Sequence, residues 1–336
     1  MDDAQPLIQV RDLHFTYRGE GGEAVDALRG VSFSLRPGEF VALVGANGSG
    51  KTTLARHLNA LLVPDRGEVW VSGLSTHDRA SWPTIRSQVT MVFQRPEDQI
   101  VATIVEDDVA FGPENLGLTG EEIERRVRWA LETAGVWHLR HRPPHLLSAG
   151  QQQRVAIAGA LAMSPRCLVF DEATAMLDPA GRREMLTLLH QLHADGMTVV
   201  LTTHQMSEAV EAERVVALEG GRVAFDGPCR PFFADSGRLA RLGLEAPALS
   251  VLSAELAGRW PGFPGDLLTV DELTEVLLPR LHPEPAPLLS GADLGCAVAD
   301  EVHGSALVEV QGLCHTYMEG TPFAAVSLEG VTLDVY

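Results

Sequence analysis

Gly45-Ala46-Asn47-Gly48-Ser49-Gly50-Lys51-Thr52 gathers three glycines, a lysine and two hydroxyls into eight residues between an apolar run and a helical one. The chemistry such a stretch suits is phosphate binding. The glycines let backbone N–H groups curl around an anion at a helix N-terminus, where the helix dipole also favours negative charge. Lys51 is then placed to reach the β- and γ-phosphates of a nucleotide, and Thr52 to offer a hydroxyl to Mg2+. Far downstream, Leu168-Val169-Phe170-Asp171-Glu172 is an apolar run that ends in two carboxylates. Asp171 is positioned to hold Mg2+ through water, and Glu172, one residue later, to polarise an attacking water; general-base help of that kind is typically ~10²–10⁴-fold.

The elements that must carry these residues are short and apolar. Phe40-Val41-Ala42-Leu43-Val44 reads as a buried strand before the glycines, and Thr53-Leu54-Ala55-Arg56-His57-Leu58 as the helix after them. A further β run, Thr198-Val199-Val200-Leu201-Thr202-Thr203, closes on His204. Strand, polar loop and helix in alternation indicate an α/β domain.

Composition bounds what the rest can be. The 336 residues are 45% hydrophobic and 21% charged, ordinary for globular protein. A net charge of −19 offers no basic surface to nucleic acid or anionic lipid. Four cysteines (Cys167, Cys229, Cys296 and Cys314) lie far apart, with no spacing for a zinc site or a disulfide framework, and read as reduced cytosolic thiols. Met1-Asp2-Asp3-Ala4 has no signal-peptide character. No run approaches the ~18–20 apolar residues of a membrane span, so a membrane role must come through a partner.

The chain also repeats itself. Leu7-Ile8-Gln9-Val10-Arg11-Asp12-Leu13-His14-Phe15-Thr16-Tyr17 aligns with Leu307-Val308-Glu309-Val310-Gln311-Gly312-Leu313-Cys314-His315-Thr316-Tyr317, and residues 28–35 with 328–335, at a constant offset of 300. The expectation is a nucleotide-binding body over 1–230, an accessory segment over 231–280 and a Pro-rich linker over 281–306. Residues 307–336 are expected to be the truncated start of a second such domain. Within 231–280, residues 267–278 look amphipathic, with Thr269 and Asp271 as plausible caps.

Between the two motifs lies Leu147-Ser148-Ala149-Gly150-Gln151, followed by Gln152-Gln153-Arg154. In that order the three stretches resemble the ATP-binding cassette (ABC) ATPases over about residues 5–280. The resemblance implies a P-loop NTPase with a RecA-like core, an antiparallel β subdomain and a helical subdomain at about 95–160. It implies ATP and Mg2+ as cofactors, held by Gly45, Asn47, Gly48, Ser49, Gly50, Lys51, Thr52, Thr53 and Asp171. It further implies that Tyr17 stacks on adenine, that Gln94 links metal and water to a transporter-facing subdomain, and that His204 senses the γ-phosphate. Asp178 matches a loop that contacts a second ATPase domain, in cis or in trans. Ser148 and Gly150 match the signature that grips ATP held by that second domain. Ala149 departs from the usual glycine.

Gln94-Arg95-Pro96-Glu97-Asp98-Gln99-Ile100-Val101 and Glu106-Asp107-Asp108-Val109-Ala110-Phe111-Gly112-Pro113 resemble the energy-coupling factor and cobalt- or nickel-importer branch. That branch implies a peripheral subunit on the cytoplasmic face of the membrane, driving an integral T component while an S component binds a vitamin or metal ion. Glu97 and Asp98 are expected to meet an arginine on a partner helix. Two other readings stand beside this one: a soluble tandem mechanoenzyme of the translation-factor type, and an ATPase half that only supports its partner.

Overall fold

In a computed structural model of the chain, residues 5–19, 23–280, 308–317 and 325–335 are described. They divide into two compact units, 1–279 and 280–336. The expected linker over 281–306 lies outside the described residues.

The first unit is built around strand β3 (Phe40–Val44), every residue of which is buried. In chain order its neighbours are β1 (Ile8–Arg18) and β2 (Ala24–Leu35) before it, then α1 (Lys51–Leu58), β4 (Arg66–Val71) and β5 (Leu74–Ser75). Next come α2 (Trp82–Gln88), β6 (Val89–Val92), α3 (Val105–Asn115), α4 (Gly120–Thr133) and α5 (Ala149–Ala162). The chain continues through β7 (Cys167–Asp171), α6 (Pro179–Ala194), β8 (Thr198–Thr203), α7 (Met206–Ala209), β9 (Arg214–Glu219) and β10 (Arg222–Pro228). Four helices close the unit: α8 (Cys229–Phe233), α9 (Ser236–Arg241), α10 (Ala248–Arg259) and α11 (Val270–Leu277).

Two sheets result. A six-stranded sheet runs β10-β9-β3-β8-β7-β6, parallel except for the antiparallel edge strand β10. An antiparallel sheet runs β2-β1-β4-β5. Strand alternation explains why the central strands are apolar throughout: both faces are covered. Phe40, Ala42 and Val44 point into a core with Leu168, Phe170, Val155, Leu161 and Leu189, under the helices. Val41 and Leu43 point the other way, into a core with Ile8, Leu28, Leu54 and Leu58, under the antiparallel sheet.

The segment 231–279 is largely helical and belongs to the same unit. Phe232, Phe233, Leu239, Leu242, Leu244 and Leu268 join the helix-side core. Helix α11 starts at Val270, and Thr269 is its cap, forming a reciprocal capping box with Glu272. Asp271 lies in the first turn, so of the two plausible caps only Thr269 serves; the carboxylate of Asp271 favours the helix dipole instead.

The second unit's described residues are the hairpin β11 (Val308–Tyr317) and β12 (Ala325–Val335). Its register copies that of β1 and β2 pair for pair: Val310↔Leu333 repeats Val10↔Phe33, and Leu313↔Val331 repeats Leu13↔Val31. The bulges fall at the same places, and both copies put a left-handed residue there, Asp12 (φ 46) in the first and Gly312 (φ 58) in the second. The N–H at that bulge donates to Ser32 Oγ in one copy and Thr332 Oγ1 in the other.

Candidate functional site

The parallel order of the large sheet decides where the sequence motifs meet. Gln94 follows β6, Asp171 ends β7 with Glu172 next, His204 follows β8, and Gly45–Gly50 follow β3. These four strands are consecutive neighbours, with Val92 opposite Phe170, Asp171 opposite Thr202 and Val44 opposite Thr203. All four loops therefore emerge along one carboxyl edge, the usual ligand edge of an open α/β sheet.

The glycine loop is held close to its surroundings. Gly45 takes φ 150 and its missing Cβ would sit 2.4 Å from the Leu218 carbonyl oxygen; Gly50 takes φ 105, and there a Cβ would sit 2.7 Å from that of Ala27. Lys51 is buried, and Nζ donates to the carbonyls of Gly45 (2.9 Å) and Ala46 (3.2 Å). It also lies 3.7 Å from Glu172 Oε1. Burial lowers the lysine's pKa, while Glu172 and Asp171 oppose that shift. Among the described residues, the buried Ser49 Oγ finds no hydrogen-bond partner. An orphaned buried hydroxyl beside a cationic Nζ fits an anionic phosphate.

Asp171 is buried, and its Oδ1 accepts from Thr52 Oγ1 at 2.8 Å and from Thr202 Oγ1 at 3.0 Å. Desolvation raises its pKa, and the two hydroxyls partly offset this. Hydroxyl and carboxylate oxygens side by side are the hard donors that Mg2+ prefers. Glu172 adopts φ 50, left-handed and strained for a non-glycine residue. Its N–H donates to Thr202 Oγ1 (3.0 Å), which helps to fix that conformation. His204 Nδ1 lies 3.5 Å from Glu172 Oε2, so Lys51, Glu172 and His204 form one contiguous line of polar side chains.

A cavity of about 280 Å3 is lined by Tyr17, Asp26, Ala27, Asn47, Gly48, Gly50, Lys51, Thr52, Thr53 and Glu172. Tyr17 sits edge-on to Phe15, with its hydroxyl 3.3 Å from Thr53 Oγ1. Gln94 is exposed and lines an adjoining cavity with Thr52, Arg56, Arg95, Asp98 and Asp171. Ser148 and Gly150 do not line the phosphate cavity. Ser148 is the exposed N-cap of α5, boxed with Gln151. Gly150 faces Leu177, where a Cβ would stand 3.6 Å from a methyl carbon. Asp178 caps α6, accepting from Gly181 N–H at 2.7 Å. Glu97 is ion-paired with Arg95 of its own loop, so the acidic stretch is partly neutralised from within.

Sequence reading missed several supports. Gln99 Oε1 accepts from Phe93 N–H (3.1 Å), and Gln153 Nε2 donates to the Phe93 carbonyl (3.3 Å), which pins the base of the Gln94 loop to α5. Gly221 donates from its N–H to the Ser49 carbonyl (3.1 Å) and accepts from Arg29 N–H (2.7 Å). Thr202 serves both carboxylate residues. Only Gly220-Gly221, as a turn signal, had any local signature.

The family model for ABC transporter matches residues 28–175. The energy-coupling factor transporter ATP-binding protein EcfA1 of Symbiobacterium thermophilum is 51% identical over 285 residues, covering 83% of this chain and 99% of the relative. The protein of the same name from Caldanaerobacter subterraneus subsp. tengcongensis is 44% identical over 272 residues, covering 81% and 98%. The chain belongs to the ABC transporter ATPases, in their energy-coupling factor branch. Its fold is correspondingly the ABC ATPase fold. A solved cbiO1 from Clostridium perfringens, described as part of the ABC transporter complex cbiONQ, matches with TM-score 0.63 and 34% identity over 74% of this chain and 98% of that one. A dimeric ATP-binding cassette in a post-hydrolysis state, bound to ADP and Pi, matches with TM-score 0.61 and 32% identity over 66% and 99%. As an ABC transport ATPase the chain binds and hydrolyses ATP. Among the described residues no helix is long and apolar enough to cross a membrane.

Proposed function

We propose that this chain energises an energy-coupling factor importer by closing on ATP together with a second ATPase domain, in cis or in trans, and reopening after hydrolysis. The observation that carries the reading is the contiguous line Lys51–Glu172–His204 beside the Thr52–Asp171 oxygen pair. In this reading the N–H groups of Gly45, Asn47, Gly48, Ser49 and Gly50 hold phosphates with Lys51 and Thr53. Tyr17 stacks on the base. Thr52 and Asp171, with Gln94, would hold Mg2+, which would supply positive charge against the phosphates. Glu172 takes the proton of the attacking water, and His204 orients Glu172 and reports on the γ-phosphate. Asp178, Ser148 and Gly150 serve the opposing domain.

Membrane work requires a partner. A cavity of about 240 Å3 between the Gln94 loop and helices α3 and α5 is lined by Phe93, Gln99, Val101, Phe111 and Met163. Val101 and Phe111 are 65% and 52% exposed, enough apolar surface to receive a cytoplasmic helix of the T component. The S component then chooses the cargo, a vitamin or a transition-metal ion. The chain works as a peripheral subunit at the cytoplasmic face. The second hairpin, with register and bulges of the first, is the opening of a second ATPase domain.

The test is gentle purification from membranes of the source cell, with MgATP hydrolysis measured on the product. Companion small membrane proteins and hydrolysis abolished by Glu172→Gln support the reading. Hydrolysis with no membrane companion returns the chain to the soluble mechanoenzymes. Hydrolysis unaffected by Glu172→Gln removes the assigned base.

A further inference from the structure

Helices α6 and α7 carry an ion pair, one partner buried and the other half-buried, that the chemistry above does not use. Glu208 is fully buried, yet its partner Arg182 lies 26 residues away, one turn past the Asp178 cap of α6. Arg182 Nε stands 3.2 Å from Glu208 Oε1, and neither atom has a well-aligned hydrogen bond among the described residues. An ion pair on a buried carboxylate is a poor stabiliser when its geometry is misaligned, because desolvation offsets most of the attraction. Its placement suggests another use.

The second oxygen, Glu208 Oε2, accepts from Thr203 Oγ1 at 2.6 Å. Thr203 Oγ1 in turn accepts from Gln205 N–H at 2.9 Å. These two contacts bracket His204 on both sides. His204 itself is held on Glu172 only by the 3.5 Å approach of Nδ1, and its side chain is 44% exposed. The backbone around the histidine is thus fastened through Thr203 and Glu208 to α6, whose first residues form the loop around Asp178.

We propose that Arg182 and Glu208 are positioning residues: they set His204 against Glu172 and make that setting depend on where α6 and its Asp178 loop stand. This rests on the proposed roles of His204 and Glu172. When a second domain moves the Asp178 loop, α6 carries Arg182, Arg182 carries Glu208, and the Thr203–Gln205 turn re-aims the imidazole. An ion pair with slack in its geometry suits such a link better than a saturated one. Misplacement of a catalytic group by about 1 Å costs on the order of 10²-fold in rate.

The experiment is a double-mutant cycle in MgATP hydrolysis, with binding of a fluorescent ATP analogue and thermal unfolding measured on each variant. The set is the parent chain, Glu208→Gln, His204→Ala, the double Glu208→Gln/His204→Ala, and Arg182→Met/Glu208→Gln, which removes both charges and guards against misfolding. The expected result is a fall in kcat of on the order of 10²-fold for Glu208→Gln with nearly unchanged analogue binding. In the His204→Ala background the same substitution should then cost almost nothing further, because it acts through the histidine. Arg182→Met/Glu208→Gln should hydrolyse as slowly as Glu208→Gln even if its unfolding temperature recovers. An equal fall with and without His204, or a Glu208→Gln rate within two-fold of the parent, overturns the proposal. A parent that binds the analogue but does not hydrolyse ATP at any chain concentration overturns the underlying catalytic reading, and the proposal with it.

Discussion

Gly221 and Glu172 show how much of this site is decided by single backbone positions. Gly221 takes φ 77, and a Cβ there would meet the Ala27 carbonyl oxygen at 2.6 Å; Gly220 takes φ 52 with open space around it. Both would strain a side chain, by about 1 kcal/mol. Only Gly221 would also push its turn away from β2 and from Ser49. Gly221→Ala should therefore weaken ATP binding by roughly 10-fold, about 1.4 kcal/mol, whereas Gly220→Ala should lower thermal stability slightly and leave binding alone. Equal binding constants for the two variants would show that the turn does not support the phosphate loop. Glu172→Gln keeps the size, the left-handed backbone and the N–H bond to Thr202. Hydrolysis should drop by about 10²–10⁴-fold while ATP still binds, as measured by single-turnover kinetics. The glycine loop and the two carboxylates were legible in the sequence because each sits in a short local pattern beside an apolar strand, whereas Gln94 and His204 were marked only by the resemblance to the ABC ATPases. Thr202, Glu208, Gln153 and Gly221 were not. Their contacts span 30, 26, 60 and 172 residues in sequence, and no periodicity announces a polar side chain that matters only once the sheet has formed.

Among the elements, α11 is one whose attachment rests partly on charge. None of its residues is buried, and its start is set by the Thr269–Glu272 capping box. The Arg230 guanidinium, bonded to Glu272, holds that carboxyl below its usual range, with help from the N–H groups of Leu268 and Thr269. A lowered folded-state pKa means the contribution is complete above the ordinary carboxylate pKa, about 4.3, and is lost as pH falls through the lowered value. Amides of 270–277 should then lose hydrogen-exchange protection as pH falls below about 4, before those of β3 or β7 do. Arg230→Ala should loosen α11 at neutral pH too, leaving a cap contribution of about 1 kcal/mol. Simultaneous loss of protection in α11 and β7 would contradict this. The amphipathic pattern at 267–278 pointed to a helix, but Arg230, outside that window, could not be read from it. The hairpin of β11 and β12 is the converse case, since the repeat was plain in the sequence and the structure repeats it to the bulge. What differs is covering: Leu313 and Leu333 are 44% and 45% exposed, where their counterparts Leu13 and Phe33 are 0% and 7%.

For the whole molecule the decisive fact is where α5 begins. Its N-terminus carries exposed Ser148 and Ala149, a ready anion site by its dipole, while the phosphate cavity is lined by other residues. On the proposed reading these are two halves of a site carried by one domain, for neither Ser148 nor Gly150 lines the phosphate cavity. If two copies face each other with those halves exchanged, each ATP is held by the glycine loop of one and the α5 N-terminus of the other. Two damaged chains should then repair one another. Ser148→Glu puts a negative charge where phosphate must approach; Glu172→Gln removes the base. Alone, each variant should hydrolyse ATP at a small fraction of the parent rate. Mixed, they form pairs in which one site joins the intact Glu172 of one chain to the intact Ser148 of the other, and activity should reappear in proportion to such pairs. The parent's rate per chain should likewise climb with chain concentration. A mixture no more active than the average of its two components would show that Ser148 and Glu172 act within one chain, and the closing motion proposed to drive the membrane partner would lose its basis.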